Sequence, residues 1–438
     1  ASRAMFAAVA SSGVAFSPPG RRERASEKAR RADRSKPCRA SERYQVSASS
    51  AISDSSSEMH PKPDHESFPP EMRTAVTATQ LASRLCVATQ SRLVSVDTAS
   101  KSDDSPVTVC DFAVQALISL WLLEKHPSIK LVAEETAEAL RADEDGAALL
   151  EKVTDLVNET LYLALADGFV FTKDCALLQR LPLTTTQVAT AIDRGAGDPD
   201  SKNSFWILDP IDGTKGFVAG RQYAIALGLM QGGVITGGVL GCPNMGGTKI
   251  PENAEVIPPE PPGVVFVAYK GVGCVVFSSD VKKPLDDGKE STFTSKETEA
   301  TKRKTCTANA SATGLSSRYM ESWGDSVVAN GNKTKELASK MKSTRTPVKV
   351  DSMAKYGALA RGDADLYLRF PPISYREKVW DHAAGVAIVE ASGGIVTDGE
   401  GNALDFTRGR FLEQNGGIVA AANRGLHREL MDALKEYK

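Results

Sequence analysis

Several things are missing from this 438-residue sequence. Its seven cysteines are scattered, with no CxxC pair and no Cys/His cluster. That leaves no ligand spacing for a structural zinc site. An odd, dispersed set also reads as reduced thiols of an intracellular protein rather than as a disulfide framework. No uninterrupted apolar run approaches 18 residues, so no membrane-spanning segment is expected. There is no internal repeat. The formal net charge is only −2, and it is unevenly spread: residues 1–50 hold eleven Arg and Lys against four Asp and Glu. The body that follows is mildly acidic, which argues against nucleic-acid binding, because that needs a basic face. What is present is ordinary: 41% hydrophobic and 25% charged residues, enough for a large globular core.

Residues 1–66 are rich in Ala, Ser and Arg and show no hydrophobic period, so they cannot bury a face. They read as a disordered targeting segment, with the plastid as the first expectation and the mitochondrion or cytoplasm as alternatives. Order is expected from about residue 67. Apolar positions at helical spacing predict helices over residues 71–96, 111–126 and 146–164. Short β runs follow at 129–133 and 205–208, a hairpin about Gly232-Gly233, and a strand pair over 263–277. Residues 280–306 read as an exposed loop. Beyond it lie strands at 348–351, 366–370, 394–397 and 418–421, and helices at 352–361, 381–391 and from about 426. Blocks of helix and strand alternate, which predicts a layered α/β or α+β fold. We expect an N-terminal part, 67–245, carrying a metal site and a C-terminal part, 246–438, carrying substrate contacts.

The chemistry is concentrated in WILDPIDGTKGF, residues 206–217. Neither a buried strand nor a helix needs two carboxylates separated by Pro210 and followed by Gly213-Thr214. Pro210 fixes its own φ and biases Asp209 to an extended conformation. The chain then turns, so that Asp212 can face the same centre and the Ile211 carbonyl is free to act as a further ligand. Glu134-Glu135 close another strand, and Asp381 follows Trp380 where a helix should start. Carboxylates converging on one crevice repel unless cations neutralise them, and oxygen ligands without His or Cys favour Mg²⁺. Gly213-Thr214 at a helix start suits an anion. Metals beside an anion site point to phosphate chemistry.

WILDPIDGTKGF, VAEET (132–136) and WDHAAG (380–385) resemble, in order and spacing, the three signatures of the Mg²⁺-dependent, lithium-sensitive phosphatases typified by inositol monophosphatase. SKSDDSPVTVCDF (100–112), QYAIALGL (222–229), DSMAKYGALARGDADLYLRFP (351–371), YREKVWDHAAG (375–385) and GGIVTD (393–398) are more similar to the 3′(2′),5′-bisphosphate nucleotidase branch, including plant and yeast forms. The resemblance spans about residues 72–437. It implies a layered αβαβα sandwich of the inositol monophosphatase and fructose-1,6-bisphosphatase type, with two or three Mg²⁺ ions. Glu134, Asp209 and the Ile211 carbonyl would hold the first ion; Asp209, Asp212 and Asp381 would hold the second. Asp111 would pair with Thr214 to deprotonate the attacking water, and Gly213 and Thr214 would hold the scissile phosphate. Ser352, Lys355 and Arg369, with Asp381, would contact the substrate, Lys355 and Arg369 taking a second phosphate.

The implied reaction removes the 3′-phosphate of adenosine 3′,5′-bisphosphate, a by-product of sulfate transfer, and extends to the sulfated analogue. The implied enzyme is a monomer with a small-molecule substrate and no nucleic-acid or membrane partner. One departure bears on substrate choice: where the branch carries a His-Ser pair, this chain has Val327-Val328. An inositol phosphate phosphatase is therefore a second expectation, and a catalytically silent nucleotide sensor on the same fold a third.

Overall fold

Two larger β-sheets and three helical layers organise the described residues, and a third sheet has only two short strands. The computed structural model describes residues 67–95, 106–169, 175–279, 304–323, 327–372 and 374–437. The expected targeting segment, residues 100–105 and most of the expected 280–306 loop lie outside them.

The first layer is helical. α1 (Pro70–Ser95) packs on α2 (Pro106–Lys125). The sequence reading opened α2 at residue 111; it begins at Pro106, whose fixed φ and missing N–H suit a first helical position. Asp111 is therefore inside the helix and buried. By length and composition α2 can cross a membrane, contrary to the expectation that no segment is apolar enough. Here it is a core helix, packed on α1 and burying Phe112, Leu117, Ile118 and Trp121. After β1 (Lys130–Ala133), the helices α3 (Glu144–Ala166), α4 (Ala176–Gln179) and α5 (Thr185–Asp193) complete this layer. Asp143 caps α3 by accepting from Gly146 N, and a Thr184–Gln187 capping box starts α5.

The second layer is the large sheet. β2 (Phe205–Asp212) and the one-turn α6 (Thr214–Val218) lead into β3 (Ala224–Gln231), β4 (Val234–Cys242), β5 (Val264–Tyr269), β6 (Gly273–Ser278) and β7 (Lys304–Thr305). Among the described residues the seven strands lie in sequence order. β1 pairs parallel with β2, and the other neighbours are antiparallel. Gly232 and Gly233 both take positive φ, as a two-residue hairpin turn requires. The sheet continues through β5, β6 and β7, past the boundary expected at residue 245.

The remaining layers come from the C-terminal half: β8 (Met320–Glu321), α7 (Val327–Lys340), β9 (Val348–Lys349), α8 (Ala354–Arg361), β10 (Leu366–Arg369), α9 (Ala383–Ala391), β11 (Ile395–Asp398), β12 (Ile418–Ala421) and α10 (Arg424–Lys435). A second sheet has the order β10-β12-β11. α9, with α8 beside it, packs on both sheets, and α10 lies against β12 and α7. The result is the expected αβαβα sandwich. Alternation along β4 serves it: Gly237 faces Met72 of α1, while a Cβ at Gly238 would lie 2.5 Å from the Ala384 carbonyl of α9. Buried apolar residues accordingly form two clusters, one on each face of the large sheet. The six described cysteines are free and buried.

Candidate active site

Strand pairing assembles the acidic residues. In the parallel β1–β2 pair, Ala133 lies beside Leu208, so the next residues, Glu134 and Asp209, emerge as neighbours on one face. In an ideal strand Asp209 and Asp212, three residues apart, would point to opposite faces. They do not, because Asp209 pairs with Ala226 and Asp212 with Ala224. β2 carries one extra residue between them, at the point where Pro210 has no N–H to donate. The bulge restores the parity, and both carboxylates face the α8–α9 side. Asp381, just before α9, completes the set.

The electrostatics record this crowding. Asp209 is buried and its carboxyl is raised, first by burial and then by Glu134, Asp212, Asp381 and Asp111. Glu134 stands at the accessible mouth but is walled by protein. Desolvation there, then Glu135 and Asp212, push it up to about 7 against Lys378 and Arg410. Asp381 is likewise pushed to about 7, first by burial and also by Asp212 and Glu377, against His382 and Arg369. Asp111 is raised by burial, then by Glu135, Cys110 and Glu134. Asp212 accepts from Met353 N, which offsets part of its own burial. One oxygen of Asp209, Oδ1, is buried with no hydrogen-bond partner. Converging carboxylates with an orphaned buried oxygen, and no thiolate among them, fit Mg²⁺.

The anion side differs from the expectation in two respects. The helix after Gly213 is a single five-residue turn, so backbone N–H groups rather than a long macrodipole would serve an anion. Thr214 donates to the Ile211 carbonyl at 3.4 Å rather than to Asp111, so the expected Asp111–Thr214 pair is not made. Gly213 has φ +88°, and a Cβ there would meet Ser352 Cβ at 2.7 Å. Ser352, itself at φ +67°, precedes α8, and its carbonyl accepts from Lys355 N at 3.2 Å. It touches the DPIDGT turn directly.

A family model of the inositol monophosphatase family matches residues 174–438. The chain is 38% identical over 372 residues to the 3′(2′),5′-bisphosphate nucleotidase of Oryza sativa, covering 84% of this chain and 95% of that protein. The chain belongs to the inositol monophosphatase family. It is also 36% identical over 387 residues to 3′,5′-bisphosphate nucleotidase AHL of Arabidopsis thaliana, covering 84% and 97% of the two proteins. Identity to the 3′(2′),5′-bisphosphate nucleotidase of Schizosaccharomyces pombe is 32% over 374 residues, covering 84% and 95%. The crystal structure of CysQ from Bacteroides thetaiotaomicron, a bacterial member of the family, aligns with TM-score 0.49 and 18% identity over 82% of this chain and 98% of that one. Inositol monophosphatase family enzymes are metal-dependent, generally using Mg²⁺.

In this family member a cationic pair sits beside the acidic crevice. Lys355 is 5% exposed. Burial, with Arg369 adding, pulls it down to about 8 against Asp212 and Asp351. Arg369 Nε donates to Glu377 at 2.6 Å, and the guanidinium lies 3.9 Å from Asp381. Glu377, Asp381 and His382 have ligand atoms close enough for a cation, but both Glu377 oxygens are engaged, by Arg369 and His382.

The sequence reading missed two residues that hold the site in shape. Gln115, one turn after Asp111, donates to the Glu135 carbonyl at 2.7 Å and accepts from Glu135 N at 2.9 Å. Arg410 donates to the Ala133 carbonyl at 2.5 Å and to Gly195 O at 2.8 Å, and its guanidinium lies 4.6 Å from the Trp380 ring centroid. Trp380 thus packs in the wall. Gln115 had a weak signal, its helical spacing from Asp111; Arg410 had none. Val327 and Val328 begin α7, and their side chains lie outside the described residues.

Proposed function

We propose that the protein hydrolyses the 3′-phosphate of adenosine 3′,5′-bisphosphate to AMP and inorganic phosphate, with Mg²⁺ as cofactor and the sulfated analogue as a further substrate. The observation that carries this reading is the juxtaposition of two charge clusters. Asp111, Glu134, Asp209, Asp212 and Asp381 form one; buried Lys355 and half-buried Arg369 form the other. The names of the curated relatives support it.

Glu134, Asp209 and the Ile211 carbonyl would hold one Mg²⁺, and Asp209, Asp212 and Asp381 another, with room in the reading for a third. When bound, Mg²⁺ supplies positive charge for the phosphoryl oxygens and acidifies water. Asp111 takes the proton of the attacking water, with Thr214 orienting it. The water oxygen bonds to phosphorus as the bond to the 3′-oxygen breaks; that oxygen leaves with the electron pair and takes a proton from solvent water, to which Asp111 later returns its own. Gly213 and Thr214 present backbone N–H groups to the scissile phosphate. Ser352, Lys355 and Arg369 hold the 5′-phosphate. We further propose a monomer that acts in the plastid, addressed there by residues 1–66.

Product analysis tests the reading. Incubation of the full chain with adenosine 3′,5′-bisphosphate and Mg²⁺ should yield 5′-AMP and phosphate, and Asp209→Asn should abolish turnover. Release of the 5′-phosphate instead, or turnover that survives chelation of Mg²⁺, would overturn it.

A further inference from the structure

Arg369 does not set its own direction. Its side chain is 35% exposed, yet its inner edge is fixed by a buried chain of polar groups. Nε donates to Oε1 of Glu377 at 2.6 Å. Oε2 of Glu377 meets His382 Nε2 at 3.2 Å, and His382 Nδ1 meets the Tyr356 hydroxyl at 2.8 Å. Glu377, His382 and Tyr356 are inaccessible to solvent. Burial would push Glu377 up, but the hydrogen bonds and charges of His382 and Arg369 hold it down at about 2. An ionised carboxylate only accepts, so Nε2–H donates to it, and Nδ1 shares the second hydrogen bond with the Tyr356 hydroxyl.

The chain ties the DSMAKY and WDHAAG segments together. It also accounts for Gly385, where a Cβ would overlap the Tyr356 ring. A buried ion pair adds little net stability against well-packed apolar residues, so stability is a weak reason to keep one here. Geometry is a stronger one. With Nε committed to Glu377, the guanidinium is held in one orientation, beside Asp381 and near Lys355. An arginine fixed before binding loses less rotamer freedom when it takes a planar, bidentate anion.

We propose that Glu377, locked by His382 and Tyr356, is a positioning residue that aims the free edge of Arg369 at a second, non-scissile phosphate, and so makes the site select substrates with two phosphates over substrates with one. This rests on the reading above, in which Lys355 and Arg369 receive that phosphate.

The experiment compares adenosine 3′,5′-bisphosphate with adenosine 3′-monophosphate, with Mg²⁺, in the full chain and in the variants E377Q, Y356F, R369A and E377Q/R369A. Losing a hydrogen bond to a charged group should raise the E377Q KM for the bisphosphate about tenfold. Its KM for the monophosphate and its kcat on either substrate should move by less than about threefold. Y356F keeps the ring against Gly385 and removes only the far hydroxyl; it should shift the same KM in the same direction by less, and it decides the matter if E377Q does not fold. E377Q should add nothing to R369A, because it acts through that residue. Equal losses on both substrates, a fall mainly in kcat, or additive effects in the double variant would overturn the proposal. If R369A itself leaves the two-phosphate preference intact, the reading of Lys355 and Arg369 fails, and the positioning role fails with it.

Discussion

Asp209 and Asp212 face one centre because β2 carries one more residue than β3 between their partners, Ala226 and Ala224. An odd spacing that would place two carboxylates on opposite faces of a strand is converted by a bulge at Pro210 into a shared site. The cost is electrostatic: acids packed in this way resist ionising together.

That cost gives the stability of the metal-free protein a pH dependence. Glu134 and Asp381 are pushed up to about 7 in the fold, whereas unfolded carboxyls titrate near pH 4. Between those values the folded chain binds more protons than the unfolded one, so stability falls as pH rises across the window and is lowest above about 7. Thermal melts of chelator-treated protein should give a lower Tm at pH 8 than at pH 5.5. Adding Mg²⁺ should raise Tm more at pH 8, where the carboxylates are ionised. A Tm indifferent to both would contradict the crowding described here.

Gln115 clamps the backbone beside Glu134 from both sides of the Glu135 peptide. Gln115→Leu should leave the fold intact while weakening Mg²⁺ binding, seen as a rise of roughly 10–100-fold in the Mg²⁺ concentration for half-maximal activity. An unchanged Mg²⁺ dependence would reduce Gln115 to a packing residue.

Lys355 offers a titration on the substrate side. Burial and Arg369 bring it down to about 8, so in the free enzyme it loses its charge as pH passes that value. The KM for adenosine 3′,5′-bisphosphate should climb above about pH 8. In Lys355→Arg, whose guanidinium stays protonated, that climb should move out of the measurable range. A KM flat from pH 7 to 9.5 in the parent would mean that Lys355 does not meet the anion.

Gly213 is required twice over, by φ +88° and by the closeness of Ser352. Gly213→Ala should cost roughly 1–2 kcal/mol in urea unfolding for the left-handed backbone alone. It should also lower kcat by displacing Thr214. Activity equal to the parent would show that this turn does not hold the reacting phosphate.

Much of this was legible in the residues. The helices α1 and α3, the hairpin at Gly232-Gly233 and the strands β2 and β12 follow from periodicity and turn chemistry, because local pattern and packing agree there. The carboxylate set was legible too, since Asp209, Asp212 and Asp381 sit where packing alone gives no reason for an acid. The start of α2 was misread because Pro106 opens it ahead of the apolar pattern. The parity of Asp209 and Asp212 was not readable, because a bulge is a relation between two strands. Arg410 acts across more than 200 residues of chain, and Glu377 bonds residues five and eight positions away, through contacts that exist only after folding. Periodicity carries no trace of such contacts.

The most direct measurement is phosphate release from adenosine 3′,5′-bisphosphate, inositol 1,4-bisphosphate and inositol 1-phosphate at equal concentration, with Mg²⁺ and the full chain. A strong preference for the nucleotide is the predicted result, and it would mean that Ser352, Lys355 and Arg369 select it without the His-Ser pair replaced by Val327-Val328. A preference for either inositol phosphate would leave the acidic crevice as a metal site and contradict the assignment of the substrate.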